Sequence, residues 1–401
     1  MFDSRLLFVA QALLIGCIFY LLVWRQHRIL RLQVIGWTSA VIAIAWRYGT
    51  EAQLGFYSND QYQYAATVRI LLYQDWEPGE QASFFWWTEF SKIPYPGAAL
   101  PLAATGIHIA LALKTVSLAC LLALSRELLE RYDSIRMSDQ IKVLYLTGCG
   151  LIGSFFSILA LRETMMMYFV YRFATDRTLT GRLISITIVF LLRAHLAAAL
   201  VVAEIGMALW TALTRRQKTG FMDVPVLVIG GTTLGFLLFS WRFNSMQGYG
   251  ILRRLQTPFN SDFGINETLQ TASNFAGLQF LTSHEAFIRL SISELLLLRT
   301  IFSDTVLIPL GFTTVCIFLG YRLAERHKFV LLAFAVYVSI VTNTDFNSFR
   351  QNIPLMPLMG MVLLDFLKDR KMQRSSAPED VSRASDPSRR AVGHSVSNVA
   401  N

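Results

Sequence analysis

The sequence predicts an all-α fold, a polytopic transmembrane bundle of about ten helices, some of them short or broken. Three observations predict this fold. The 401 residues are 54% hydrophobic and only 16% charged, which is too apolar for a water-soluble globule of this size. The apolar residues form long runs, and the basic residues sit in short clusters between those runs. We therefore expect most of the chain to lie in lipid.

The predicted spans take up most of the first 370 residues. The first run lacks a basic start and a small-residue cleavage site, so it is predicted to stay as a membrane span. In chain order, the predicted spans are residues 6–24, 30–46, 97–124, 142–161, 164–174, 182–213, 221–241, 298–320, 329–343 and 352–367. Residues 1–370 are thus predicted to form one helical domain, and 371–401, rich in Ser, Pro and Arg, a disordered cytoplasmic tail.

Charge sets the predicted orientation. The net charge is +9, but the clusters 25–31, 215–218, 322–328 and 368–374 lie at span ends, where positive charge is held in the cytoplasm. This placement indicates topology and excludes a nucleic-acid-binding stripe. Alternation of the spans then places the N-terminus, the loops 47–96 and 242–297, and the polar sites 162–163 and 345–350 on the opposite, external face.

The first external loop, residues 47–96, is rich in Tyr and Trp and is predicted to lie along the membrane interface. Within it, Tyr64, Val68 and Leu72 repeat at helical spacing, which predicts a short interfacial helix beginning near Asp60. Asp60 is either the cap of this helix or a reactive carboxylate.

Charged residues interrupt the later apolar runs. Arg162 and Glu163 follow one run, and Arg193 and His195 interrupt the segment 182–213, which is too long for one span. An arginine at mid-bilayer costs about 3 kcal/mol, so Arg193 is expected to face protein or a wet cavity at a break between two helices. Two roles remain open for Arg193: a structural ion pair with Glu163 or Glu204, or binding of an anion. His195 alone is more often a packing residue.

The motifs of the first loop resemble those of GT-C superfamily glycosyltransferases. The stretches 59–66, 75–78 and 92–101 resemble an acidic residue before an interfacial helix, a Gly-Asp-Trp-x-x-Pro turn and a proline-rich start of the next span. Gln74 replaces the usual glycine of that turn, and Gln61 replaces a second acid that many members carry. Residues 343–357, with Arg350 before two prolines, resemble a late-span motif of the same proteins but lack its aromatic residue.

The paired elements 161–163 and 191–195 also resemble bacterial polysaccharide-cluster membrane proteins, including GT-C-like transferases and, more loosely, polymerases of the Wzy and EpsG types. In the polymerases the first element more often reads Arg-Gln, so Glu163 departs from that pattern. The combined resemblance covers residues 45–367 in the expected order. It implies an enzyme of the bacterial inner membrane that uses polyprenyl-phosphate-linked or diphosphate-linked saccharide on the external face in exopolysaccharide, O-antigen or lipopolysaccharide assembly.

The residue types suit that chemistry. Guanidinium groups bind phosphate oxygens in pairs and keep their charge, a role predicted for Arg162, Arg193 and Arg350, with His195 beside them. A carboxylate is needed to accept the proton of the attacking hydroxyl, and Asp60 is the predicted base. Glu163 and Asp345 are predicted as alternative bases or as charge partners of an arginine.

Several alternatives stay open at this stage. A Wzy-type polymerase would use the same arginines on a diphosphate, a lipid-linked saccharide flippase or other transporter would line its pathway with Arg193 and His195, and a structural subunit would need neither. No cysteine or acid cluster has metal-ligand spacing, so no metal site is predicted, although a divalent cation would fit the chemistry. The expected partners are a polyprenyl-linked saccharide, a glycan or lipid acceptor, membrane lipids and other polysaccharide-assembly proteins.

Overall fold

The computed structural model describes residues 4–48, 58–73, 93–214, 327–342 and 353–375, and within these ranges all regular structure is helical, with no strand. The N-terminal half contributes α1 (Ser4–Leu22), α2 (Arg28–Tyr48), α3 (Ser58–Tyr73), α4 (Pro94–Ala104), α5 (Ile109–Arg131), α6 (Met137–Leu146) and α7 (Leu151–Ile158). Then follow α8 (Glu163–Thr175), α9 (Leu179–Leu192), α10 (Ala194–Thr214), α11 (Lys328–Thr342), a 3₁₀ turn (Ile353–Leu355) and α12 (Met356–Ser375).

Three described helices are long and apolar enough to cross a membrane: Arg5–Leu22, Arg28–Arg47 and Ile109–Arg131. A fourth span results if the bent pair α6 and α7 is counted as one. The described residues thus confirm an all-helical chain with three to four candidate membrane spans. The predicted spans 221–241 and 298–320, like the loop 242–297, lie outside the described residues.

Helix α5 is the central helix of the described part. The apolar segment of α5 is 67% buried inside the protein, compared with 22% for α1 and 28% for α2. Helices α1 and α2 pack on each other and present exposed leucines outward, Leu14 and Leu21 among them. An apolar outer surface of this kind suits a helix that lies in lipid.

Two predicted spans are interrupted. The prediction of one span over 97–124 is wrong, because α4 ends at Ala104 and α5 begins at Ile109. Gly106 turns the chain at φ +87°, and Gln11 of α1 holds the turn by donating to the carbonyl of Gly106 at 2.9 Å and accepting from the amide of His108 at 3.0 Å.

The predicted span 142–161 is also not straight. Helices α6 and α7 meet at an angle of 64°, and Gly148 between them has φ +72°. A side chain at this glycine would come within 3.1 Å of Met356 at the start of α12. Close packing of α12 on this bend therefore requires glycine here.

Helices α7 to α10 form two antiparallel hairpins. The first hairpin consists of α7 and α8. Helix α7 ends beside Lys114 of α5, and Arg172 near the end of α8 pairs with Glu127 further along α5. Helix α8 therefore runs parallel to α5. Arg182 of α9 pairs with Glu204 of α10 at 2.8 Å, and these residues lie eleven positions before and eleven after Arg193. Arg193 is therefore at the tip of the second hairpin.

The last described helix, α12, continues to Ser375. The tail was predicted to begin at residue 371, and α12 extends through residues 371–375 of that range. The remaining tail lies outside the described residues.

Candidate functional site

Two arginines mark the tips of the two hairpins. Arg162 is the N-cap residue of α8, and Arg193 separates α9 from α10. Helix α8 has 13 residues and α9 has 14, about 20 Å each, and the turn around Asp176 joins the end of α8 to the start of α9. Both breaks therefore lie at a similar distance from that turn. Neither helix is long enough to cross the hydrocarbon core, which is about 30 Å thick.

The first break is stabilised from α5. After α7 ends at Ile158, Ala160 takes the left-handed conformation at φ +56°, which leaves carbonyl groups without helical partners. Lys114 Nζ donates to the carbonyl of Ile158 at 2.6 Å, and Ser117 Oγ donates to that of Leu161 at 3.1 Å. These buried donors from a neighbouring helix satisfy two carbonyl groups at the end of α7.

The second break is a single extended residue. Arg193 has φ −160° and ψ 90°, so the chain reverses without a loop. Its amide donates to the carbonyl of Val189 at 2.7 Å, and its carbonyl accepts from the amides of Leu196 and Ala197 at 3.1 and 3.2 Å. The predicted break of the segment 182–213 at Arg193 is confirmed, and the backbone groups of Arg193 are satisfied on both sides.

The two hairpin tips meet through a buried ion pair. Arg193 Nη2 lies 3.7 Å from Glu163 Oε1, and Arg193 Nη1 donates to the hydroxyl of Tyr337 at 3.4 Å. Glu163 and Tyr337 are fully buried, and Arg193 is 8% exposed. Of the two predicted partners for Arg193, Glu163 is the one observed, since Glu204 pairs with Arg182 instead.

Tyr337 is a site residue that the sequence analysis missed. It lies in the apolar helix α11, which packs along α10. A tyrosine hydroxyl within an apolar span needs a hydrogen-bond partner, and this was the available signal. The sequence could not indicate that the partner is Arg193, because 144 residues separate the two.

Arg162 differs from Arg193 in its partners. Its side chain is partly exposed, its Nε atom is buried without a hydrogen bond, and among the described residues no ion pair involves it. It lies within electrostatic reach of Tyr337 and so belongs to the same cluster. Within the described part of the chain, the cluster therefore holds two guanidinium groups and one carboxylate, an excess of one positive charge.

A line of contacts joins helix α3 to the first break. Tyr64 of α3 packs edge to face on Tyr95 of α4, with ring centroids 5.2 Å apart. The Tyr95 hydroxyl donates to the carbonyl of Leu113 at 2.9 Å and lies 2.7 Å from Ser117 Oγ, which contacts Leu161 beside Arg162. Helices α3 and α4 thus pack against the segment that positions Arg162 and Glu163.

The other predicted site residues are described only in part or lie outside the described residues. Helix α3 begins at Ser58, which places the backbone of Asp60 inside the first turn and not at the capping position, and the backbone of His195 lies in the first turn of α10. Their side chains, and the whole of Asp345 and Arg350, are outside the described residues. The described chain resumes at Ile353, in a 3₁₀ turn that packs on α8. Searched within the same ranges, no group of three or more His, Cys, Asp or Glu side chains could hold a metal ion.

Comparison with known proteins leaves the chain without an assigned relative: no protein-family model, curated protein or solved structure matches it. The resemblance to GT-C transferases therefore rests on the sequence motifs alone. Function has to be inferred from the chemistry of the site.

Proposed function

We propose that this chain is a multi-pass glycosyltransferase of the bacterial inner membrane that transfers saccharide from polyprenyl phosphate or diphosphate during cell-surface polysaccharide assembly. One observation carries the proposal. Arg162 and Arg193, separated by thirty residues of sequence, belong to one cluster with a single carboxylate between them among the described residues. The charge of Arg193 is compensated by Glu163, whereas the partly exposed Arg162 has no ion-pair partner among the described residues. A partly desolvated charge is costly unless an anion compensates it.

A phosphate-linked sugar donor supplies such an anion. The acceptor hydroxyl attacks the anomeric carbon, the bond from that carbon to the phosphate oxygen breaks, and its electron pair stays on the phosphate. Arginine suits this leaving group because its charge persists at any working pH and its planar donors match phosphate oxygens. Under this proposal the cationic cluster stabilises the charge that develops as the carrier phosphate departs.

The proposed base is Asp60, which accepts the proton of the attacking hydroxyl. Its helix, α3, packs on α4 and α5, and α5 in turn holds the break that carries Arg162. Glu163 suits the role of a charge partner better than that of a base, since it is fully buried against Arg193. Arg350, His195 and Asp345 keep their predicted supporting roles at the same face.

The proposed topology follows from charge and helix direction. With the basic clusters in the cytoplasm, both hairpin tips point toward the external leaflet, and the C-terminal tail is cytoplasmic. The carrier lipid would reach the cluster from the bilayer and the acceptor glycan from the periplasm. Labelling of single cysteines introduced at Asp176 and at Thr105, on opposite ends of the bundle, would test this orientation.

The test of the activity uses bacterial membranes that contain the full chain and its lipid-linked saccharides, with products separated by mass. Asp60→Asn, Arg162→Ala and Arg193→Ala should each lower product at least about 100-fold, since loss of a general base or of a charge-stabilising donor has effects of this size. Arg182→Gln, which removes a guanidinium from the opposite end of the hairpins, should retain activity. Wild-type product from both Arg162→Ala and Arg193→Ala would reject the proposal.

The products also separate the alternatives. A single added sugar supports the transferase, and a ladder of repeat units indicates a Wzy-type polymerase. Movement of intact lipid-linked saccharide across the bilayer, with its glycosidic bonds unchanged, indicates a flippase. The last outcome would leave the cationic cluster as a transport site and remove Asp60 from the mechanism.

A further inference from the structure

Two helix N-termini meet at the cationic cluster. Helix α8 begins at Glu163 and helix α10 at Ala194, directly after the two arginines. The N-terminus of a helix carries a partial positive charge of about half a unit, from amide groups that have no acceptor in the helix. Both helix dipoles therefore add to the charge of Arg162 and Arg193.

The start of α8 offers donors that the described structure does not use. Its N-cap residue, Arg162, makes no side-chain capping bond, so the amides of Thr164 and Met165 have no acceptor within the helix. The Thr164 side chain is fully buried, and its Oγ1 atom has no hydrogen-bond partner among the described residues. The Cα–Cβ bond of a helical residue tilts toward the N-terminus, which directs this hydroxyl to the same end as the amides.

The two arginines contribute differently. Arg193 is engaged by Glu163 and Tyr337, and Glu163 is thereby neutralised although it lies in the first turn of α8. Arg162 has a buried Nε atom without a partner among the described residues, and the rest of its side chain is partly exposed. A buried donor without an acceptor costs about 1–3 kcal/mol, which a bound anion would recover.

We propose that the N-terminus of α8 is a binding site for a phosphate or diphosphate group, contacted by Arg162, the Thr164 hydroxyl and the first-turn amides. Tyr337 is a positioning residue, which binds Arg193 and holds the two hairpin tips together without touching the anion, while Arg193 contributes its positive charge beside the site. The identity of the anion as a carrier phosphate rests on the proposed function, whereas the anion site itself is inferred from the contacts described above.

The test measures anion binding directly. The full chain in nanodiscs is titrated with inorganic pyrophosphate, and affinity is followed by calorimetry while the unfolding midpoint reports on the fold. Arg162→Gln should weaken pyrophosphate binding about 10- to 100-fold, and Thr164→Val several-fold, as expected for bonds to a charged group. Thr164→Ser keeps the hydroxyl and should bind within about 2-fold of wild type, which separates loss of a donor from a change of shape.

Substitution of the positioning residue Tyr337 should affect stability and not anion binding. Tyr337→Phe should lower the unfolding midpoint and leave the affinity within about 2-fold of wild type, because a positioning hydroxyl supports the fold and not the ligand. Arg182→Gln, at the far end of the hairpins, should leave affinity unchanged. Wild-type affinity in Arg162→Gln, or equal losses in Tyr337→Phe and Arg162→Gln, would overturn the assignment. If Arg162→Gln does not fold, the pair Thr164→Val and Thr164→Ser decides the matter.

A second arm separates the sources of the anion and the two proposals. Polyprenyl diphosphate that binds more tightly than pyrophosphate and competes with it identifies a lipid ligand, whereas equal affinities identify a free anion. Anion binding that depends on Arg162, in a protein without sugar transfer, would leave this site standing and remove the transferase. Sugar transfer by a chain that binds neither anion would overturn the site and leave the transferase.

Discussion

The two ends of helices α8, α9 and α10 use arginine in opposite ways. At the turn end, near Asp176, arginines are matched by acids in partly exposed pairs. These pairs are Arg172 with Glu127 and Asp176, and Arg182 with Glu204. At the hairpin tips, Glu163 is the one acid among the described residues, and it forms a buried pair with Arg193. Arg162 makes no ion pair within the described part of the chain.

The difference shows what burial does to the same side chain. Exposed ion pairs contribute about 0–1 kcal/mol and are screened by salt, so the turn end holds the helices in place without storing much energy. A buried pair is stable only while both partners remain, and an extra buried cation requires a compensating anion. The hairpin tips are therefore the end where a charged ligand would change the free energy most.

The largest expected effect is from removal of the buried acid. Glu163→Gln leaves Arg193 buried without its charge partner, and we expect the free energy of unfolding to fall by about 3 kcal/mol. Thermal unfolding in detergent measures this loss. The control is Glu130→Gln, which breaks an exposed pair with Arg126 and should change stability by less than about 0.5 kcal/mol. Equal effects would erase the distinction between the two ends.

An intermediate effect is expected for the contacts that hold the first break. Tyr95→Phe removes a buried hydroxyl that bonds to Leu113 and Ser117, and should lower the free energy of unfolding by about 1 kcal/mol. Tyr145→Phe, in which the ring is exposed, is the matched control and should have no measurable effect. A Tyr95→Phe protein with the same free energy of unfolding as wild type would mean that contacts from α3 and α4 do not stabilise the break between α7 and α8.

A small effect is expected at the turn end. Glu204→Gln breaks the pair with Arg182, which is 29% exposed on the arginine side and 43% on the acid side, and should destabilise the protein by about 0.5 kcal/mol or less. The loss should shrink further as salt is raised from low to molar concentration, because salt screens exposed charges. A loss that is large and independent of salt would show that this end also depends on buried charge.

The smallest effect is a pH dependence at the turn. The amide and hydroxyl of Thr178 donate to Asp176 at 2.9 and 2.8 Å, and together with Arg172 they hold the pKa of this carboxyl below its ordinary value of 3.8. A depressed pKa in the folded state stabilises the protein at higher pH, and this contribution disappears as the pH falls below about 4. The unfolding midpoint of wild type should thus drop slightly more than that of Asp176→Asn below that pH. Identical acid profiles would contradict the assignment.

Local patterns predicted much of the candidate site. The length of the segment 182–213 and the arginine within it were enough to predict the break at Arg193, since a charge in an apolar run must leave the lipid. Helical spacing after Asp60 predicted α3. Gly106 and Gly148 are residues that can interrupt a helix, yet the spans around them were predicted as continuous, because the surrounding sequence is strongly apolar and a single glycine does not by itself end a helix.

Other features depended on contacts between distant residues. Charge alone made Glu163 and Glu204 equal candidates for Arg193, and only the direction of α9 and α10 assigns Glu204 to Arg182. Tyr337 entered the cluster because α11 packs along α10. Lys114 and Ser117, which satisfy the end of α7, would read in the sequence as ordinary polar interruptions of a span.

The sequence by itself determined that the described part of the chain is helical, that several of its helices are apolar enough to cross a membrane, and where charges interrupt the apolar runs, because these properties follow from composition and periodicity along the chain. Only the tertiary structure decided which charges neutralise one another and which remain in excess. Coulombic and hydrogen-bond energies depend on distance in space, and the hairpins bring together residues that sequence separation keeps apart.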